Sequence, residues 1–338
     1  MNIIEKIMKK IEENSIKKSE KNLEALIEKV GPTIEFGMYA NSLVEDEASA
    51  LLLNKMAEWR DDKTKLLVER TLNFEGKSFL GLYYTSKVKE CPNSAIWFRK
   101  EPIKWTILDM KNGKTLLWSD MVLSAKLYAK LDSNGIFTKD YQGNSTVDTV
   151  SKSNYQYSFV REWLNTQFCE NAFSEDEKEI LDIWKGDDIH YCWHEDYIEF
   201  FEDSGINKYK DKVFLMNYSD LLKTFVGNRA VVREYIGEKW RYKPLANPEL
   251  YKGKATVYSK FIGNLKVKNG NVRYWSLDGS WFNEQGVEYS DLKRSRLTII
   301  GEIESGVDDW PNLEDSLGVR PAICVNSDLL VHYLVNKK

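Results

Sequence analysis

The last quarter of the chain most constrains what it can fold into. There Val272-Arg273-Tyr274-Trp275-Ser276-Leu277-Asp278-Gly279-Ser280-Trp281 is followed, after one more strand-like segment, by Leu317-Gly318-Val319-Arg320-Pro321-Ala322-Ile323-Cys324-Val325. Two aromatic-rich strands thus close on a Gly-Val-Arg-Pro turn that opens a final apolar strand. An arginine just before a proline, at the entrance to a strand expected to be central, must find buried acceptors for its fork of donors. Arg320 is therefore expected to pin neighbouring loops through backbone carbonyls or Asp278, with ligand contact as the alternative.

Residues 1–31 read as a helical arm. Ile3, Ile4, Ile7, Met8 and Ile11 recur at helical spacing, and Leu23, Leu26, Ile27 and Val30 do so again. The arm is expected to pack on the body or to mediate self-association. Interspersed Glu residues oppose its use on an anionic membrane surface. After the Gly31-Pro32 break, strands are expected at Thr33 to Tyr39, Phe79 to Tyr84, Ile96 to Arg99, Lys104 to Leu108 and Thr115 to Trp118, with a helix from Ala48 to Trp59. Asn112-Gly113 between two apolar runs predicts a tight hairpin. Ser158 is placed to cap a helix whose apolar face carries Val160, Trp163, Leu164 and Phe168, and Ser174 with Glu177 reads as a capping box. Val213 to Met216 reads as a buried strand leading into a short helix, capped by Asn217 and reaching Phe225. Further strands are expected at Ala255 to Gly263, Arg273 to Leu277, Arg296 to Ile303 and Pro321 to Val325. Strands first, helices in the middle and strands last predict an α+β fold. The first and last β-segments should meet side by side, with Phe36 and Ile323 in one interior.

Composition narrows the function. Basic and acidic residues number 48 and 52, a formal net charge of −4 without a basic stripe, so nucleic acid is not an expected partner. No apolar run is long enough to span a bilayer, and the N-terminus lacks the apolar core of a signal peptide. The four cysteines are scattered with no C-x-x-C pair, which fits reduced thiols in a cytoplasmic protein rather than a disulfide framework. Eleven Trp and eighteen Tyr exceed what packing alone asks for and suit half-buried loops or ligand-contacting grooves.

Several of these segments resemble a family of bacterial proteins known as domain of unknown function 6273. They are Ile34 to Tyr39, Trp97 to Leu108, Val160 to Asn165 with Ala172-Phe173-Ser174, Val213 to Met216, Tyr274 to Leu277, and Gly318-Val319-Arg320-Pro321-Ala322, so that the resemblance runs from about residue 32 to the end. That family is in turn similar to proteins with the C-type-lectin-like fold, in the branch of formylglycine-generating enzymes and phage receptor-binding proteins. Asp278-Gly279-Ser280-Trp281 resembles its Gly-Gly-Ser-Trp turn, and Leu317-Gly318-Val319-Arg320 its closing strand. The resemblance implies twisted antiparallel strands flanked by helices, with long loops on one face. It implies one such domain over residues 32–338, with an insertion around residues 185–210, and no particular activity.

Lectin-like loops form a recognition face, so Trp275, Asp278, Ser280, Trp281, Arg294, Arg296 and Arg320 are the candidate ligand contacts, with Lys293 adding positive charge nearby. His190, Cys192 and His194 would share one face of a strand and are the only concentrated metal-capable set. A zinc site there would need a fourth ligand, for which Asp187, Asp188, Glu195 and Asp196 are near, and the plainer reading is an acidic, aromatic insertion with exposed histidines. Neither a Gly-x-Ser-x-Gly turn nor a phosphate-cradling Gly-x-x-x-x-Gly-Lys-[Ser/Thr] loop is present. The expected function is non-enzymatic recognition of a glycan, peptide or protein, without a cofactor. A metal-dependent oxidase related to the formylglycine-generating branch and a structural or assembly protein are the alternatives.

Overall fold

The Asn112-Gly113 turn closes the hairpin between residues 96–111 and 114–119. In this computed structural model both residues have positive φ, 56° and 73°, the two left-handed positions that let a two-residue turn follow the twist of its strands. The structure describes residues 14, 16–18, 21–22, 24–25, 28, 33–57, 67–84, 95–127, 158–183, 211–216, 233–236, 239–242, 253–263, 265, 272, 274–275, 299–300, 307–308 and 316–336.

Fifteen strands are numbered in chain order among these residues. They are β1 (Thr33–Leu43), β2 (Leu67–Phe74), β3 (Lys77–Tyr84), β4 (Ile96–Lys111), β5 (Lys114–Ser119), β6 (Ser124–Leu127), β7 (Leu181–Asp182), β8 (Val213–Leu215), β9 (Arg233–Ile236), β10 (Lys239–Tyr242), β11 (Tyr274–Trp275), β12 (Ile299–Ile300), β13 (Val307–Asp308), β14 (Ser316–Val319) and β15 (Pro321–Asn326). Helices span Glu47–Met56, Phe159–Trp163, Cys169–Ala172, Glu175–Ile180, Val257–Gly263 and Ser327–Asn336, and a π-helical turn covers Leu164–Phe168. This is the α+β content expected. No helix among the described residues is long and apolar enough to cross a membrane.

Eight strands form a curled, wholly antiparallel sheet in the order β2-β3-β4-β5-β15-β7, with β1 beside β4 and β8 beside β15. A second sheet runs β13-β12-β11-β14-β6, and β9 and β10 pair by themselves. Two short connections join the main sheets: β5 leads into β6, and β14 leads into β15 through Arg320. Phe36 and Ile323 belong to one core of fully buried side chains, with Trp105, Leu117, Trp163, Phe214 and Tyr274. They are not on adjacent strands, however. β4 and β5 lie between β1 and β15, so the first and last β-segments share an interior without pairing.

The segments expected as separate strands at Ile96 and Lys104 are one sixteen-residue strand. Pro102 does not break it because on one edge of β4 the pairing with β3 ends at Arg99, while that with β5 begins at Trp105. A residue without an N–H is tolerated in such a gap. On the other edge the register with β1 shifts between Glu35 and Met38. Gly37 sits in that bulge at φ 71°, and a Cβ there would lie 2.7 Å from the Phe173 ring and 2.8 Å from the Ala172 carbonyl. Both the conformation and the closeness of the approach require glycine.

Ala255 to Gly263, expected as a strand, is instead helical from Val257. Thr256, Val257, Tyr258 and Phe261 carry strand propensity, but the Thr256 hydroxyl accepts a 3.0 Å bond from the Ser259 N–H and starts a helix. The other local signals act as expected. Ser158 accepts from the Arg161 N–H, and Ser174 and Glu177 complete a reciprocal capping box. Residues 14, 16–18, 21–22, 24–25 and 28 of the arm are helical. A Cβ on Gly113 would meet Ile16 at 3.4 Å, so this helix lies against the hairpin turn. The helix expected after Asn217 lies outside the described residues.

Candidate functional site

Two of the seven candidate ligand contacts are described, and both point inward. Trp275 is 1% exposed and its indole N–H donates to the Lys126 carbonyl at 2.7 Å. Arg320 is 3% exposed. Its guanidinium lies 3.5 Å from the Trp118 ring centroid and 5.7 Å from that of Tyr274, while its Nε donates to the Ser119 carbonyl at 2.7 Å. A planar guanidinium suits this combination of stacking and hydrogen bonding. Asp278, Ser280, Trp281, Lys293, Arg294 and Arg296 lie outside the described residues, as do His190, Cys192, His194 and the whole 185–210 insertion. No group of three metal-capable side chains occurs among the described residues.

The structure brings together a second group that no sequence pattern marks. Tyr39 of β1, Glu69 of β2, Ser124 and Lys126 of β6, Trp163 and Tyr258 come from five separate stretches of chain. The Tyr39 ring packs against Trp163 and Tyr258 at centroid distances of 6.3 and 5.8 Å, both edge-on. The Tyr258 hydroxyl donates to Glu69 Oε1 at 2.9 Å. Lys126 Nζ lies 3.5 Å from the same oxygen and 4.8 Å from the centroid of the Trp163 ring. Tyr39 Oη, Ser124 Oγ and Trp163 Nε1 are the buried side-chain polar atoms without a hydrogen-bond partner among the described residues. Three such atoms in one neighbourhood are unusual, because a buried unsatisfied donor costs about 1–3 kcal/mol.

Burial, and then the Glu69 charge, push the Tyr39 hydroxyl well above the usual tyrosine range. Burial with the neighbouring Tyr39 and Glu69 does the same for Tyr258. Both phenols are therefore protonated at neutral pH and available as donors. The two described thiols are protonated as well. Burial raises Cys169, and burial with Asp182 beside it raises Cys324 to about 12. Neither has the lowered pKa of a thiolate nucleophile.

Glu177 forms a separate, saturated node. Beyond its capping role it accepts from the Gly37 N–H at 3.2 Å and from the Tyr333 hydroxyl, tying β1 and the C-terminal helix together. Burial would raise its pKa, but bonds from Tyr333, Ser174 and Gly37 outweigh that and hold it below the usual carboxylate value. Between the two values the unfolded chain binds more protons than the folded one. The stability supplied by Glu177 is thus complete above the ordinary glutamate pKa and is lost as pH falls through the lowered one. Glu177→Gln is expected to flatten the acid limb of stability against pH and leave the slope near neutrality unchanged. Thermal unfolding between about pH 3 and 7 reads this directly, and an unaltered acid limb would refute it. An open groove of about 390 Å³ beside Tyr333 is lined by Asp176, Glu179, Leu329 and His332 among others, but none of the three orphaned donors belongs to its lining.

A curled antiparallel sheet joined to a second, smaller sheet, with a buried donor cluster at their junction, defines the architectural class. The chain belongs to the family described as a domain of unknown function (DUF6273), whose model matches residues 112–327. The match opens at Asn112, inside the hairpin, so β1 to β4 fall outside it although they continue the same sheet. No curated protein matches the chain, and no solved structure does.

Proposed function

We propose that the protein is a non-enzymatic recognition protein of C-type-lectin-like architecture, acting in the bacterial cytoplasm. The segment that follows Trp275 contacts a glycan, peptide or protein ligand through Asp278, Ser280, Trp281, Arg294 and Arg296. One observation carries the reading: the strand end from which this segment leaves is held from several sides. β11 pairs with both β12 and β14, Trp275 is bonded to Lys126, and Tyr274 is covered by Arg320. A rigid mounting lowers the ordering cost that binding must offset. In sequence, Asp278, Ser280 and Trp281 combine a carboxylate, a hydroxyl and a large aromatic, the residue types that suit a sugar or peptide ligand.

Glycan and peptide arrays probed with the full chain test this. Retention of one ligand class is expected, weakened about tenfold or more by Trp281→Ala, as for an aromatic hot spot, with the unfolding temperature unchanged. Arrays and pull-downs that return no ligand would sink the reading. So would one equivalent of metal bound at His190, Cys192 and His194 in protein purified under reducing conditions, which favours the oxidase alternative.

A further inference from the structure

Each orphaned atom of the Tyr39–Trp163 cluster can donate to an acceptor, and for the indole an acceptor is the only possible partner. An indole N–H can only donate. The Tyr39 hydroxyl lies close enough to the hydroxyls of Ser124 and Tyr258 to feel both, but no contact of full hydrogen-bond geometry reaches it. Lys126 carries three donors, of which Glu69 at 3.5 Å takes one at the limit of a hydrogen bond. Against these stand the two oxygens of Glu69, and Oε1 already serves both Tyr258 and Lys126. The cluster therefore has an excess of donors, one of them cationic, facing too few acceptors. Tyr39, Ser124 and Trp163 are 3%, 0% and 1% exposed, and the Lys126 and Glu69 side chains, at 12% and 17%, are the members that reach solvent.

We infer that this cluster is a binding site for a small carboxylate, whose oxygens accept from Tyr39, Ser124, Trp163 and Lys126. A monoanion matches the charge better than a phosphate dianion, because the Glu69 carboxylate stands beside the site and only one lysine offsets it. Enclosure limits the occupant to a small molecule rather than a carboxylate on a peptide chain. Entry is past the Lys126–Glu69 pair, the two side chains of the cluster that reach solvent. The site is independent of the loops after Trp275, so its fate does not decide theirs.

Indole N–H resonances of the ¹⁵N-tryptophan-labelled full chain provide the test, with Trp163 assigned from the Trp163→Phe spectrum and sodium acetate as the probe. The Trp163 signal is expected to shift saturably with acetate and to remain still with sodium chloride at equal ionic strength. Loss of a charge-assisted bond raises the acetate midpoint about tenfold or more, and this is expected in Lys126→Met and again in Tyr39→Phe. The second variant removes a single hydroxyl and keeps the ring, so it guards against a folding defect in the first. An unsaturable or chloride-equivalent shift would overturn the inference, leaving the donors simply hydrated. A midpoint unchanged in Tyr39→Phe would do the same. Inorganic phosphate or a capped acidic tripeptide binding as tightly as acetate would overturn the assigned ligand class.

Discussion

Asp211→Ala is expected to destabilise the protein by about 3–5 kcal/mol, the cost of removing one partner of a buried ion pair. The Arg161 and Asp211 side chains are 2% and 5% exposed. They meet in a two-point geometry, Nε to Oδ2 at 2.6 Å and Nη2 to Oδ1 at 2.8 Å. The pair joins the Ser158-capped helix to the residue just ahead of β8. Asn165, one turn further along, donates to the Val213 carbonyl at 2.9 Å and accepts from its N–H at 3.4 Å. Removing Asp211 thus loosens the seat of β8 on β15 as well as breaking the buried pair. Urea unfolding should show a lowered midpoint with an unchanged denaturant slope. Arg161→Met with Asp211→Leu should recover most of the loss, since apolar replacement of a whole buried pair is often neutral or stabilising. A loss below about 1 kcal/mol in Asp211→Ala would mean that water reaches the guanidinium.

The sequence signals that succeeded are local ones. Asn112-Gly113, Ser158, and Ser174 with Glu177 each act within four residues, and each is found doing what its chemistry predicts. The apolar positions Val160, Trp163, Leu164 and Phe168 share a buried face even though a π-helical turn interrupts the regular spacing. Propensity misled where two signals competed. The run from Thr256 to Phe261 is β-branched and aromatic, and a single side-chain cap decided against it. Pro102 falls in the interval expected between two strands, whereas a gap between the neighbours of one continuous strand accommodates it, and such a gap is a property of the sheet as a whole.

Functional groups assembled across the fold were not legible at all. Arg161 and Asp211 are fifty residues apart, and Tyr258 meets Glu69 across 189. Glu69 and Lys126 read individually as ordinary solvent-facing charges, and Tyr39, Trp163 and Tyr258 as ordinary core aromatics. Only the pairing of β1 with β4 and of β6 with β14, together with the placement of the Val257–Gly263 helix, turns them toward one another. Arg320 was legible because proline and the expected central strand fixed its surroundings locally. The Ser119 carbonyl that receives its Nε could not be named in advance, since it depends on β5 and β15 being neighbours.

That dependence makes Arg320 the second sensitive point of the molecule. Arg320→Ala is expected to cost about 3–5 kcal/mol, combining a desolvated cation–π contact worth about 2 kcal/mol with the stranding of buried acceptors at about 1–3 kcal/mol. The residue occupies the passage from β14 to β15, opposite the passage from β5 to β6, where Leu123 N–H also bonds the Val319 carbonyl at 2.9 Å. Its guanidinium, packed between Trp118 and Tyr274, joins a side chain of the large sheet to one of the small sheet. Arg320→Lys keeps the charge but loses the flat stacking surface and the fixed fork of donors, so it should restore no more than about half of the loss. The two sheets give the effect a local signature. Amide exchange is expected to accelerate first around Tyr274 and Trp275, ahead of β15, because the small sheet loses its anchor while the central strand keeps its neighbours β5, β7 and β8. Uniform acceleration through both sheets would show that Arg320 stabilises the fold globally and does not hold the base of the segment that follows Trp275.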